Sequence, residues 1–260
     1  MLNKLFKLDF KWVVNKNIVI ITAAALASAV LTRIFTPVQS PFGSFMRHFM
    51  TSVTLSLCFS ILLNLLARTI VRFVRNFYRD ESYLTHTLPV EKADLWRAKI
   101  LTVVTTMLAA GVAVMIILAV AFLNGEQWWW FRNFVHILRE SGRWLAAGLI
   151  ILTFLLEVLY VNLVVFCGIL MGRKADEHKG LRVAAWIFGL YVVPQLVLMA
   201  GLFGLSKIDA NYAALFAETG TTSPELVKSV LYVTTPFYLV ICLAAYRLGE
   251  KALERGVDVE

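Results

Sequence analysis

The chain has 260 residues, of which 59% are apolar and only 16% charged, and its formal net charge is +8. A nucleic-acid binder would cluster basic and aromatic residues in a soluble domain, whereas here the basic residues flank long apolar tracts. The three cysteines, Cys58, Cys167 and Cys242, lie in separate apolar tracts without paired spacing, which excludes a disulfide framework or a metal knuckle.

Residues 1–16 come first. Leu2, Leu5, Phe6, Asp9, Phe10 and Val13 recur near helical spacing, with Lys4, Lys7 and Lys11 on the other faces. This pattern predicts an amphipathic elbow helix lying at the membrane interface. The apolar tract behind it lacks a polar cleavage region and is followed by five more, so an uncleaved first span is expected in place of a signal peptide.

Six tracts follow in order: Ile18–Phe35, His48–Ala67, Ile100–Leu123, Trp144–Gly172, Val183–Ser206 and Ser229–Tyr246. At about 1.5 Å per residue each is long enough to cross a hydrocarbon core about 30 Å thick. The third and fifth contain no Asp, Glu, Lys or Arg, which a soluble helix with one wet face would not tolerate. The expected fold is therefore all-α: a single polytopic membrane domain over 1–260 with six transmembrane helices. Pro194 and Pro236 fall inside the fifth and sixth tracts, where their missing backbone donors suit bends or re-entrant breaks and ordinary membrane packing accounts for them equally well.

Orientation follows from the basic residues. With the N-terminus inside, eighteen Lys and Arg share the cytoplasmic side and seven the opposite side, so both termini are expected in the cytoplasm of a bacterial cell membrane. Much of the net charge then serves topology and contact with anionic lipid.

The longest cytoplasmic connection, residues 71–99, carries the most information. Arg68, Arg72, Arg75 and Arg79 recur at intervals of three and four, extending the second helix with its charges along one side. Asp80 and Glu81 end that stripe. Pro89 then suits an early helical position, and Glu91 and Asp94 suit the first turns of a short helix bearing Val90, Leu95 and Trp96 with Lys92 and Arg97 between them. On composition alone such a helix serves either the lipid interface or a protein partner.

The run Arg79-Asp80-Glu81-Ser82-Tyr83-Leu84-Thr85-His86-Thr87-Leu88-Pro89-Val90, followed by Leu95 and Lys99, resembles the Asp-Glu-(Gly/Ser)-Tyr-Leu-(Thr)-x-(Thr)-Leu-Pro-Val signature of small bacterial ABC-2 type permeases. His86 departs from the aromatic or small residue common there. The resemblance implies a coupling helix that fits a cleft on a separate ATPase subunit. Asp80, Glu81, Tyr83, Leu84, Leu88, Pro89, Val90, Glu91, Asp94, Leu95, Trp96 and Arg97 would form that contact, with Trp96 its anchor. It further implies a second permease copy or a related permease, and export of a hydrophobic or amphipathic cargo: antimicrobial peptide, lipid or drug. ATP and magnesium would be held by the partner, since no Gly-x-x-x-x-Gly-Lys-(Ser/Thr) loop occurs in this chain.

An enzyme is not expected. The four histidines, His48, His86, His136 and His178, show no metalloprotease spacing. Glu157 is the acid placed well inside a span, and it, Asn64 and Asn162 are the candidate path-lining or interlocking groups. An ion-coupled secondary transporter built on Glu157 is one alternative, and a non-transporting membrane sensor or scaffold subunit another. Residues 124–143, with Trp128-Trp129-Trp130, are expected as an external interfacial segment.

Overall fold

The computed structural model describes residues 2–78, 91–122, 144–173, 178–213 and 224–255. Among these residues the ordered elements are all helices: α1 (Leu2–Val13), α2 (Lys16–Phe35), α3 (Pro41–Tyr78), α4 (Lys92–Phe122), α5 (Trp144–Gly172), α6 (Lys179–Ser206), α7 (Ala210–Ala213) and α8 (Pro224–Glu254). Six of them, α2 to α6 and α8, are long and apolar enough to cross a membrane. The chain is an all-α polytopic membrane protein. Residues fall into two compact units: Met1–Asn76 with Arg97–Leu138, and Phe77–Trp96 with Arg139–Glu260.

In the first unit, α1 and α2 are separate because Asn15 ends one and starts the other. Its side-chain oxygen accepts from the backbone N–H of Asn17 (3.1 Å) and Ile18 (3.3 Å), satisfying donors that the first turn of α2 leaves without helical partners. The core behind this corner uses small residues for close approach: Ala25 and Ala29 of α2 and Ala110 of α4 are buried beside Ile61 and Leu65 of α3. Hydroxyls tie α2 to α3 in the same seam, Ser28 and Thr54 sharing a buried hydrogen bond of 3.0 Å. Lipid tails are as apolar as leucine, so such packing and hydrogen bonding, more than exclusion of water, hold the helices together.

The second unit is centred on α5, against which α6 and α8 pack. Gly168 and Gly172, one turn apart on α5, open the α6 contact. A Cβ on Gly168 would overlap the side chain of Ile187, and one on Gly172 would overlap the backbone and side chain of Val183. Toward α8 the ties are polar. Thr153 and Thr235 share a hydrogen bond of 2.6 Å, the Cys242 thiol donates to the Leu156 carbonyl at 3.3 Å, and the Cys167 thiol donates to the Ala245 carbonyl at 3.2 Å.

Helices α6 and α8 run unbroken through Pro194 and Pro236, so neither proline makes a re-entrant break. For α6 the physical reason is visible. Pro194 has no N–H to give to the carbonyl four residues back, Leu190, and the Tyr160 hydroxyl of α5 donates to that oxygen instead.

The flanks of the α3–α4 connection are described on both sides. Helix α3 has 38 residues, about 57 Å at 1.5 Å per residue, so it continues well past a hydrocarbon core about 30 Å thick, as the Arg stripe predicts. Asp94, Leu95 and Trp96, expected in a short coupling helix, are not separated from the third span. From Lys92 onward those residues are the opening turns of α4, one continuous helix of 31 residues. Nothing between Asp94 and Ile100 interrupts it: the Asp94 and Leu95 N–H groups already bond back to Glu91, and the helix then enters its apolar tract without glycine or proline until Gly111. The external segment 124–143, with its tryptophan run, lies outside the described residues.

Candidate functional site

Three arrangements carry polar chemistry, and the first is the one that sequence reasoning missed. Asp9 sits on the apolar face of α1, 4% exposed. Its Oδ1 accepts from Arg72 Nε of α3 at 2.8 Å and from Asn76 Nδ2 at 3.3 Å, and its Oδ2 accepts from Lys99 Nζ of α4 at 2.5 Å. A buried carboxylate is tolerated when paired and hydrogen-bonded, and this one binds three helices at a single point. Beside it, the Trp12 ring has the guanidinium carbons of Arg68, Arg72 and Arg75 at 5.4, 5.4 and 5.7 Å from its centroid, within cation–π range. The one-sided Arg stripe of α3 thus faces α1. The available signal was Asp9 itself, an acid in an otherwise apolar helical stripe.

The second arrangement is the start of α4. Trp96, expected to anchor a partner protein, is instead fully buried inside the chain, and Leu95 is nearly so. Its indole packs edge-on to Phe166 of α5 (6.3 Å between centroids) and against Tyr246 of α8 (6.1 Å). It enters a notch left by Gly249, where a Cβ would overlap the indole and come within 3.1 Å of Cys167 Sγ. One turn earlier, Lys92 Nζ reaches the Glu254 carbonyl of α8 at 3.3 Å. Large aromatic area is most effective where it is fully enclosed, and α5 and α8 enclose it here. The correction is therefore specific: Trp96 is an internal key joining the strip's end to α5 and α8. Glu91 and Arg97 are exposed.

The third lies mid-span in the second unit. Glu157 is half-buried, on the stripe of α5 that also carries Thr153 and Tyr160. The facing stripe of α8 carries Thr235, Tyr238 and Cys242, with Thr153 bonded to Thr235 and the Tyr160 ring edge-on to Tyr238 at 6.3 Å. Gln195 of α6 donates to the Tyr238 hydroxyl at 3.0 Å. Tyr238 is within electrostatic range of both Glu157 and Tyr191. Among the described residues no hydrogen bond or ion pair reaches the Glu157 carboxylate.

The other expected polar groups do not join it. Asn162 is fully buried and donates within its own helix to Val158 at 2.9 Å, while its carbonyl oxygen has no partner. Asn64 is exposed on α3 and bonds one turn back to the Ser60 carbonyl at 2.9 Å. Asp80, Glu81, Tyr83, Leu84, Leu88, Pro89 and Val90 lie outside the described residues. Among the described residues no group of His, Cys, Asp and Glu is arranged to hold a metal ion. All three cysteines are free and buried.

No family model matches this chain, and no curated protein or solved structure does either.

Proposed function

We propose that the chain is the permease subunit of an ABC-type exporter of the ABC-2 class, driven by a separate ATPase that holds ATP and magnesium. It would lie in a bacterial cell membrane with both termini cytoplasmic and pair with a second permease, identical or related. The Asp-Glu-Ser-Tyr-Leu-Thr-His-Thr-Leu-Pro-Val strip supports the family reading, and the basic residues support the orientation.

One observation lends this reading its mechanism: the strip leads directly into a helix whose fifth residue, Trp96, is locked between α5 and α8. A push on residues 80–91 by a nucleotide-driven partner would reach those spans through a rigid helical turn and a filled notch. Little of the motion would be lost to loop freedom. The exposed Glu91 and Arg97 would face the partner's surface, with Leu88, Pro89 and Val90 as its apolar centre.

Purification of the chain with its native partners tests the proposal. An ATPase is expected to co-purify, and cysteines placed at Leu88, Glu91 and Arg97 are expected to crosslink to it. A stable, transport-competent particle without any ATPase would favour the ion-coupled alternative. A particle that binds a partner but moves nothing would favour the sensor or scaffold.

A further inference from the structure

We infer that the α5–α8 seam at Glu157 is a binding subsite for the organic cationic group of an amphipathic molecule, an alkylammonium headgroup or a lysine-like amine. The inference deepens the exporter reading, on which it rests only for calling that molecule cargo.

An acid in the middle of an apolar span must be neutralised by a proton, a donor or a cation, because an uncompensated charge at the bilayer centre is costly. Asp9 shows the chain's internal solution, with two cations and an amide placed on one carboxylate. Glu157 receives no such group among the described residues, although the polar side chains around it are already committed. The Thr153 and Thr235 hydroxyls bond each other, Tyr160 donates to the Leu190 carbonyl, and Tyr238 is engaged with Gln195. These neighbours fix the seam on both sides of Glu157 and leave its charge unanswered.

The surroundings select the kind of cation. A small hard ion such as calcium wants six or more oxygens, and magnesium a near-ideal octahedron. Here one carboxylate stands among two threonines bonded to each other and two phenols bonded to the Leu190 carbonyl and to Gln195. A large, weakly hydrated ammonium needs less: one carboxylate for its charge and aromatic rings for its alkyl groups. Tyr160 of α5 and Tyr238 of α8, whose rings meet edge-on at 6.3 Å on the stripes that carry and face Glu157, supply the rings. Apolar spans on either side of the seam suit a hydrocarbon tail. Glu157 is half-buried rather than sealed, so a ligand can approach it.

The test uses the full chain in phosphatidylcholine nanodiscs and two photoreactive probes, a diazirine-bearing dodecyltrimethylammonium and its uncharged dodecyl alcohol counterpart. Saturable labelling by the cationic probe is expected on α5 near Thr153–Tyr160 and on α8 near Thr235–Cys242. Glu157→Gln is expected to raise the half-saturating concentration by about tenfold or more, as loss of a charge pair worth about 1.4 kcal/mol requires, while labelling by the alcohol is unchanged. Glu157→Asp keeps the charge and should retain most of the affinity, which separates charge from packing should the glutamine variant pack poorly. Equal saturation in wild type and Glu157→Gln, or cationic labelling confined to other helices, overturns the inference. So does saturable sodium binding that depends on Glu157 while the alkylammonium fails to bind. The assay contains no ATPase, so its outcome is separable from that of the co-purification.

Discussion

Two acids enter the apolar regions of this chain, and the two units treat them in opposite ways. Asp9 of the first unit is sealed, with Arg72, Lys99 and Asn76 occupying both carboxylate oxygens. Glu157 of the second is half-open and has neither hydrogen bond nor ion pair among the described residues. A sealed and fully partnered acid is a fastening, since breaking it leaves buried charges stranded. An acid flanked by satisfied neighbours and itself unpartnered contributes little to holding helices together, and its place in mid-span calls for another purpose. The contrast is between a group that the fold needs and a group that the fold accommodates.

The largest expected effect lies on the sealed side. Asp9→Ala leaves Arg72 and Lys99, both about 6% exposed at their side chains, without their shared carboxylate. Removing one partner of a buried ion pair typically costs about 3–5 kcal/mol. The variant should show a clearly lowered thermal unfolding midpoint in nanodiscs and faster amide exchange in α1, with α5 and α8 of the second unit protected as before. A wild-type midpoint together with wild-type exchange in α1 would remove the distinction between the two acids.

How far these roles were legible in the sequence depends on the kind of interaction. The six spans were readable because a tract such as Ile100–Leu123, with no charged residue, has one environment available to it. The one-sided Arg stripe of α3 was readable from its spacing, and Glu157 from its isolation in an apolar run. Asp9 was seen but grouped with the apolar face of its helix, since its partners Arg72 and Lys99 are 63 and 90 residues away and only the tertiary fold brings them together. Trp96 failed for a related reason. An indole at a helix start is equally suited to a partner's surface and to the chain's own interior, and the notch that decides between them is Gly249, distant in sequence. At Pro194 local chemistry says that a carbonyl is freed, while only the α5–α6 contact says that Tyr160 satisfies it.

That last contact yields the intermediate effect, placed inside the second unit so that its structural bonds can be compared with Glu157. Tyr160→Phe removes the donor to the Leu190 carbonyl, and an unpaired buried polar group typically costs about 1–3 kcal/mol. Pro194→Ala restores a backbone N–H at residue 194 that can bond to Leu190 within the helix. The double variant Tyr160→Phe with Pro194→Ala should therefore be more stable than the sum of the single changes implies. A double-mutant cycle on unfolding midpoints measures this coupling, and purely additive effects would mean that the hydroxyl does not compensate for the proline.

The smallest effect is expected at Glu157, and its smallness is the point. Glu157→Gln keeps the shape and removes the charge. With no internal hydrogen bond or ion pair to lose among the described residues, the substitution should not lower the unfolding midpoint. Glu157→Leu goes further by removing every polar atom from the site, and should leave the chain at least as stable as wild type, because a membrane-embedded acid is a cost that leucine does not carry. Both variants should retain the Thr153–Thr235 tie and the Tyr160–Tyr238 contact that define the seam. If instead Glu157→Leu lowers the unfolding midpoint as strongly as Asp9→Ala does, Glu157 is a fastening like Asp9, held by a group outside the described residues or by a second copy of the chain. A stable leucine variant that has lost alkylammonium binding places the two acids in separate roles, one securing helices and the other meeting a ligand.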